Sequence, residues 1–101
     1  MDDLGVRDQD IRDAFRVDQR TLEKWLSGEA YPQRAARARL NDLDALHRHL
    51  GETFADMADA RAWLVDPNRY LSGLTPLEVL RIGRVDRVEA ALEVLDSGIF
   101  L

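Results

Sequence analysis

The stretch WLVDPNRYLSGLTPLEVLRIG, residues 63–83, constrains this chain more than any other. Pro67 disfavours helical geometry at Asp66, so a helix arriving through Trp63 and Leu64 must end there. Thr75-Pro76-Leu77-Glu78 then opens a new helix as a capping box. Threonine stands at the cap and glutamate reaches back to it, while proline occupies the first helical position, where its missing N–H has no intrahelical partner to lose. Between the two lies Ser72-Gly73, residue types that favour turn backbone. The chain must therefore turn a tight corner between two helices, and Gly83 ends the second one. Strand-like alternation is not sustained anywhere, so the rest must also be read against the helical period.

Several segments show that period. Residues 8–15 place Ile11, Ala14 and Phe15 on one side. Asp18 is a helix cap, and Leu22, Trp25 and Leu26 form the apolar side of a helix to Ser27, with Gly28 past its end. Pro32 suits the first turn of a longer helix to Leu50, striped by Ala36, Leu40, Leu43, Leu46 and Leu50 and stopped by Gly51. A fourth helix is expected from Phe54 to Val65, and a short one from Thr75 to Ile82. The last runs from Arg84 to Asp96, with Val85, Val88, Leu92, Leu95 and Ile99 at heptad-like spacing, and Gly98 as its stop. The fold class is all-α. With 101 residues and no long linker, the two halves are expected to pack on each other.

Several chemistries are excluded or unsupported. The chain has no cysteine, so disulfides, thiolate catalysis and cysteine-bound metal drop out, which fits a reducing cytoplasm. No apolar run approaches the ~20 residues of a membrane helix. The opening MDDLGVRDQD is acidic and polar, unlike a secretory signal. His47 and His49 are two apart on a helix and face different ways, so they form no metal pair and are expected beside solvent. No glycine-rich loop follows a strand. The chain is read as no enzyme, with no cofactor and no metal.

Net charge is −5, and its distribution matters more than its sum. Residues 16–39 carry Arg16, Arg20, Lys24, Arg34, Arg37 and Arg39 against Asp18, Glu23 and Glu29, whereas residues 52–101 carry nine acids against five arginines. A basic front suits phosphate, and an acidic back suits a basic protein partner. RDQDIRDAFRVDQRTLEKWLSG, residues 7–28, also has helix–turn–helix spacing. In such units the start of the second helix enters the major groove. That places Gln19, Arg20 and Thr21 near base edges, with Arg16 and Lys24 on phosphates.

Arg20-Thr21, Trp25 and Gly28 resemble the consensus of the Xre family of helix–turn–helix regulators. Arg12 stands where a small residue is usual, Arg16 where the turn usually has glycine, and only MDDLGV precedes the unit. In the back half, Trp63-Leu64, Pro67-Asn68, Leu71, Gly73, Thr75-Pro76-Leu77-Glu78, Leu80, Gly83, Val85, Val88, Leu92, Leu95 and Gly98 are similar to the C-terminal toxin-binding domain of the Xre/MbcA/ParS antitoxins. The resemblance implies an Xre-like region over 1–51 and a toxin-binding domain over 52–101. It also implies a partner toxin with a NAD-consuming RES domain, whose active-site cleft the back half blocks, and self-repression through operator DNA as a dimer or larger assembly.

By this resemblance and by position, toxin contacts fall on Asn68, Arg69, Tyr70 and Leu71 at the corner and on Arg87 of the last helix. The terminal run Asp96, Ser97, Gly98, Ile99, Phe100 and Leu101 joins them. Asp96 and the terminal carboxylate would answer cationic groups in a dinucleotide cleft, and Phe100 an apolar slot. Two readings stay open at each place. The corner is either a docking surface or a tight turn stapled by Tyr70 and Leu71, and the apolar tail covers either a partner or the chain's own core. A stand-alone Xre-type transcription regulator and a small adaptor remain as alternative classes.

Overall fold

The structure, a computed structural model, describes residues 2–30 and 33–97. Six α-helices follow in order: α1 Asp8–Phe15, α2 Gln19–Ser27, α3 Arg34–Thr53, α4 Met57–Leu64, α5 Pro76–Arg81 and α6 Val85–Ser97. Short 3-10 turns occupy Asp2–Leu4 and Arg69–Leu71, and no strand occurs among the described residues.

Most ends follow from caps. Asp18 Oδ1 accepts from the Thr21 N–H at 2.7 Å and opens α2, and Gly28 closes it in left-handed backbone. The capping box of α5 is complete. Thr75 Oγ1 accepts from the Glu78 N–H, and Glu78 Oε1 accepts from the Thr75 N–H, both at 3.0 Å.

Two boundaries differ from expectation. α3 does not stop at Gly51 but continues to Thr53. A glycine inside a helix costs about 1 kcal/mol, and the packing around it outweighs this, since Leu50 is fully buried and Phe54 packs on the core and on Trp63. Phe54 consequently caps the end of α3, and α4 starts only at Met57, where Asp56 Oδ1 accepts from the Ala58 N–H at 2.9 Å. Pro32, expected in the first turn of α3, lies outside the described residues.

One core joins the two halves. Leu4, Val6, Ala14, Phe15, Leu43, Leu46 and Leu50 from the front cluster with Ala60, Leu64, Leu71, Leu80, Val88 and Leu92 from the back. α3 lies along α6, α1 packs on α5, and α4 covers the N-terminal turn. Residues 3–6 are therefore part of the fold, because they bury Leu4 and Val6. α2 is the exception, an arm that packs principally on α1. Leu22 is buried there, Phe15 and Trp25 meet edge to face at 6.1 Å, and Leu26 is left 70% exposed.

Two polar joints fix α1, one to α5 in the back half and one to α3. The first is buried Asp10, which accepts from the Arg7 N–H at 2.9 Å and from Arg81 Nε at 2.6 Å. Burial pushes its carboxyl up, but these bonds and the Arg81 charge prevail and hold it below the ordinary value. The second is Arg39, whose guanidinium lies 5.2 Å above the Phe15 ring while Nη2 donates to the Ala14 carbonyl at 2.9 Å. The turn at Gly83 (φ +89°) passes so close that a Cβ there would stand 2.7 Å from that same carbonyl oxygen. Glycine is required at this position by both backbone and space.

Candidate protein-docking surface

The corner is tied together by one residue. The Asn68 carbonyl accepts from the N–H groups of Leu71 and Gly73, both at 3.0 Å. Its side-chain Oδ1 accepts from the Tyr70 N–H, and its own N–H donates to the Leu74 carbonyl, both at 2.9 Å. Ser72 and Gly73 both take left-handed backbone to close the loop. Leu71 points into the core and is buried. It anchors the corner from below, so it is no part of the presented surface, contrary to the expectation placed on it.

Asn68, Arg69 and Tyr70 stay on the outside, and there they meet the last turns of α6. With Trp63, Val94 and Leu95 they line an open groove of about 330 Å³. Tyr70 is 38% exposed and Leu95 47% exposed. Leu95 was expected in the buried stripe of the last helix. The stripe in fact turns inward through Val88, Ala91 and Leu92, and Leu95 is left on the groove wall. Arg87 lines a second, smaller groove of about 190 Å³ together with Leu74 and Ile82. It is not brought to Tyr70.

The end of α6 is held from the other side. Asp96 accepts from Thr53 Oγ1 at 2.8 Å and is also bonded to the His49 ring, whose second nitrogen is bonded to Glu89. Asp96, expected to face a partner's cations, is therefore engaged within the chain, and its carboxyl is held down by the hydrogen bonds from His49 and Thr53. Ser97 Oγ donates to the Val94 carbonyl at 2.9 Å. Gly98, Ile99, Phe100 and Leu101 lie outside the described residues.

Residues 49–98 match the profile of the family described as the antitoxin Xre/MbcA/ParS C-terminal toxin-binding domain. The chain is 29% identical over 98 residues to the mycobacterial cidal antitoxin MbcA of Mycobacterium tuberculosis and of Mycobacterium bovis, covering 97% of this chain and 86% of the relative. The crystal structure of the M. tuberculosis MbcT–MbcA toxin–antitoxin complex contains a chain that superposes with a TM-score of 0.73 at 28% identity, over 99% of this chain and 89% of that one. Residues 49–98 belong to the Xre/MbcA/ParS antitoxin family. This is a family of toxin-binding proteins, not of enzymes.

The corner, the groove and all of α6 fall within the toxin-binding domain match, whereas α1 and α2 precede it. The two expected departures from the Xre resemblance are both visible in the α1–α2 unit. Arg12, where a small residue is usual, bridges the helices by donating from Nη1 to Gln19 Oε1 at 2.5 Å. Gln19 Nε2 donates to Glu23 at 2.9 Å. The Gln19 amide is thus bonded within the chain at both ends and is not a free reader of base edges. Arg16 occupies the turn with φ 55°, the left-handed backbone that explains why glycine is usual there. Arg20 is exposed beside half-buried Lys24, in a shallow groove that also contains Glu23 and Glu29. Thr21 is half-buried and its N–H is used by Asp18. Among the described residues no helix is long and apolar enough to cross a membrane.

Sequence reasoning reached Asn68, Arg69 and Tyr70 but missed Trp63, Val94 and Leu95 as the other wall of the groove. A usable signal was present. Val94 and Leu95 are adjacent, so one helical face cannot bury both, and one of them had to meet solvent or a partner.

Proposed function

We propose that this chain is the antitoxin of a type II toxin–antitoxin pair and that it neutralises a RES-domain, NAD-consuming toxin by covering the toxin's active-site cleft. The observation that carries this reading is the groove between the corner and α6. It is an open, mostly apolar concavity with an aromatic wall, in the segment that matches the toxin-binding domain. Tyr70 and Leu95 supply anchor surface of the kind that concentrates binding energy, and Asn68 and Arg69 supply a polar rim. The corner's hydrogen bonds hold these groups in place before binding, so little ordering entropy is lost on association. The protein acts in the cytoplasm, where its target would consume NAD.

Co-expression with a RES-domain toxin, sought first among the neighbouring genes, tests the reading. The chain should restore growth and cellular NAD, and the two proteins should co-purify. Growth arrest and NAD loss that persist despite stable expression of both proteins would refute it.

The same chain is proposed to repress its own operon as a dimer within the toxin–antitoxin assembly. Support comes from α2, a projecting arm that carries Arg20 and Lys24 near its outer surface, with Arg16 at the turn beneath it. Gln19 is left out of this contact set because its amide is already bonded. Gel shifts of the purified complex on its upstream region should show binding that weakens with salt. Arg20→Ala should weaken it about 5- to 100-fold if Arg20 contacts a base. The absence of salt-sensitive binding by the complex would sink this second role.

A further inference from the structure

His49 sits on α3 with its side chain 20% exposed, between two carboxylates of α6. Nδ1 is bonded to Glu89 and Nε2 to Asp96. These acids are seven residues apart, about two helical turns, so one ring grips α6 at two levels. Thr53, one turn further along α3, holds the other oxygen of Asp96 at 2.8 Å. Among the described residues, Glu89 and Asp96 are the charged groups bonded to the ring. On its own helix, Arg48 turns to Asp44 and His47 to Asp3.

The chemistry selects one protonation state. A neutral imidazole has one donor and one acceptor, and only the imidazolium donates from both nitrogens. Two ionised carboxylates therefore need the charged ring. Asp96 is next to Leu95 and two residues from Val94, both of which line the groove. On a helix those positions face away from the Glu89–Asp96 side.

We propose that His49 is a positioning residue for toxin binding, whose imidazolium grips Glu89 and Asp96 so that the last turn of α6 presents Val94 and Leu95 to the groove in a fixed orientation. This rests on the groove being the toxin-binding surface. Desolvation lowers the pKa of the ring, but the bonds to Asp96 and Glu89 and their charges outweigh it, and the pKa is raised above 6.5. For a raised histidine pKa, the stabilisation is complete below the ordinary value and is lost as pH climbs through the raised one. The lowered pKa of Asp96 keeps that partner ionised through the same range. The last turn should accordingly be tight at mildly acidic pH and loosen in alkali.

Two measurements test this. In the free chain, amide exchange of residues 93–97, corrected for intrinsic base catalysis, should speed up on the order of tenfold as His49 deprotonates, the effect of losing one charge-assisted hydrogen bond. His49→Gln should be fast at both ends of the range, and His47→Gln should behave like the parent. In the complex, His49→Gln should weaken binding of the cognate toxin about tenfold at mildly acidic pH, the loss of one charge-assisted hydrogen bond, with the deficit shrinking as pH rises. Glu89→Gln, which keeps the ring and removes one arm, should show the same trend at smaller size and replaces His49→Gln if that variant misfolds. Exchange that does not respond to pH, or a binding deficit constant with pH while the parent binds normally, would overturn the role of His49. Failure of the parent to bind at any pH would instead overturn the functional reading and this role with it, and a pH-dependent exchange step would then leave only the clamp standing.

Discussion

The α1–α2 turn and the corner between α4 and α5 each force a non-glycine residue into left-handed backbone, Arg16 at φ 55° and Ser72 at φ 59°. Their surroundings differ. Around Arg16 the turn is held by two backbone bonds to the end of α1, the Arg12–Gln19 bridge, the Asp18 cap and the Phe15–Trp25 contact, and the arm beyond it packs principally on α1. Around Ser72 the Asn68 groups close the loop, Leu71 anchors it in the core, and the Thr75 box fixes its exit. A turn tied at so many points holds its exposed residues in one arrangement, as a protein-docking surface requires. An arm that packs principally on one helix can adjust as a unit, which suits a contact with a charged polymer. Local strain is present in both, so strain alone does not mark the binding surface. The difference lies in what each turn joins, an arm packed principally on α1 in one case and a corner anchored by Leu71 in the shared core in the other.

The largest expected effect contrasts one leucine in each region. Leu92→Ala, at a fully buried position under the groove, should cost about 2–5 kcal/mol and abolish toxin capture. Leu22→Ala is equally buried but belongs to the arm. It should loosen α2, seen as faster amide exchange over residues 19–27, and leave toxin capture intact. Loss of capture in both variants would mean that the arm and the body are one cooperative unit.

Next in size is the joint between α1 and α5. Arg81→Met leaves Asp10 buried without its cation and should cost about 1–3 kcal/mol at neutral pH. Because the Asp10 pKa is lowered from 3.8, its stabilisation is present above that value and lost as pH falls through the folded-state value. The deficit of the variant should therefore narrow in acid, and denaturant midpoints at neutral and acidic pH would show it. Thr75→Ala should lower stability by about 0.5–2 kcal/mol and weaken toxin capture through the corner, whereas an unchanged midpoint would mean that the cap contributes nothing. The smallest effect should be a gain. Arg16→Gly removes the left-handed penalty of a side chain and should stabilise the arm by about 0.5–1 kcal/mol, as read from its melting or exchange.

Legibility followed sequence distance. Caps and breakers act within four residues, so α1, α2, α5 and the corner could be read directly from Asp18, Gly28, Pro67 and the Thr75–Glu78 box. Gly51 misled because a glycine signals a helix end only when tertiary packing does not carry the helix through it. Buried Leu50 and the Phe54–Trp63 contact do so here. Leu4 and Val6 could not be read as core because two isolated apolar residues show no period. The His49 grip on Glu89 and Asp96 spans 40 residues or more, and no local pattern announces a contact of that range. At the proposed docking surface, the corner half was visible because its turn residues are unusual. The α6 half was not, because Leu95 fits a heptad as well as it fits a groove wall.

The central claim is that the groove between the corner and α6 binds the toxin, and the affinity of Leu95→Asp for the cognate toxin tests this most directly. Leu95 is 47% exposed, so the charge should leave the helix folded and stable. At a central anchor it should weaken binding at least about 30-fold, equivalent to roughly 2 kcal/mol, with an unchanged denaturant midpoint. Affinity equal to the parent's, with the same midpoint, would contradict the claim and move the toxin-binding surface away from this groove.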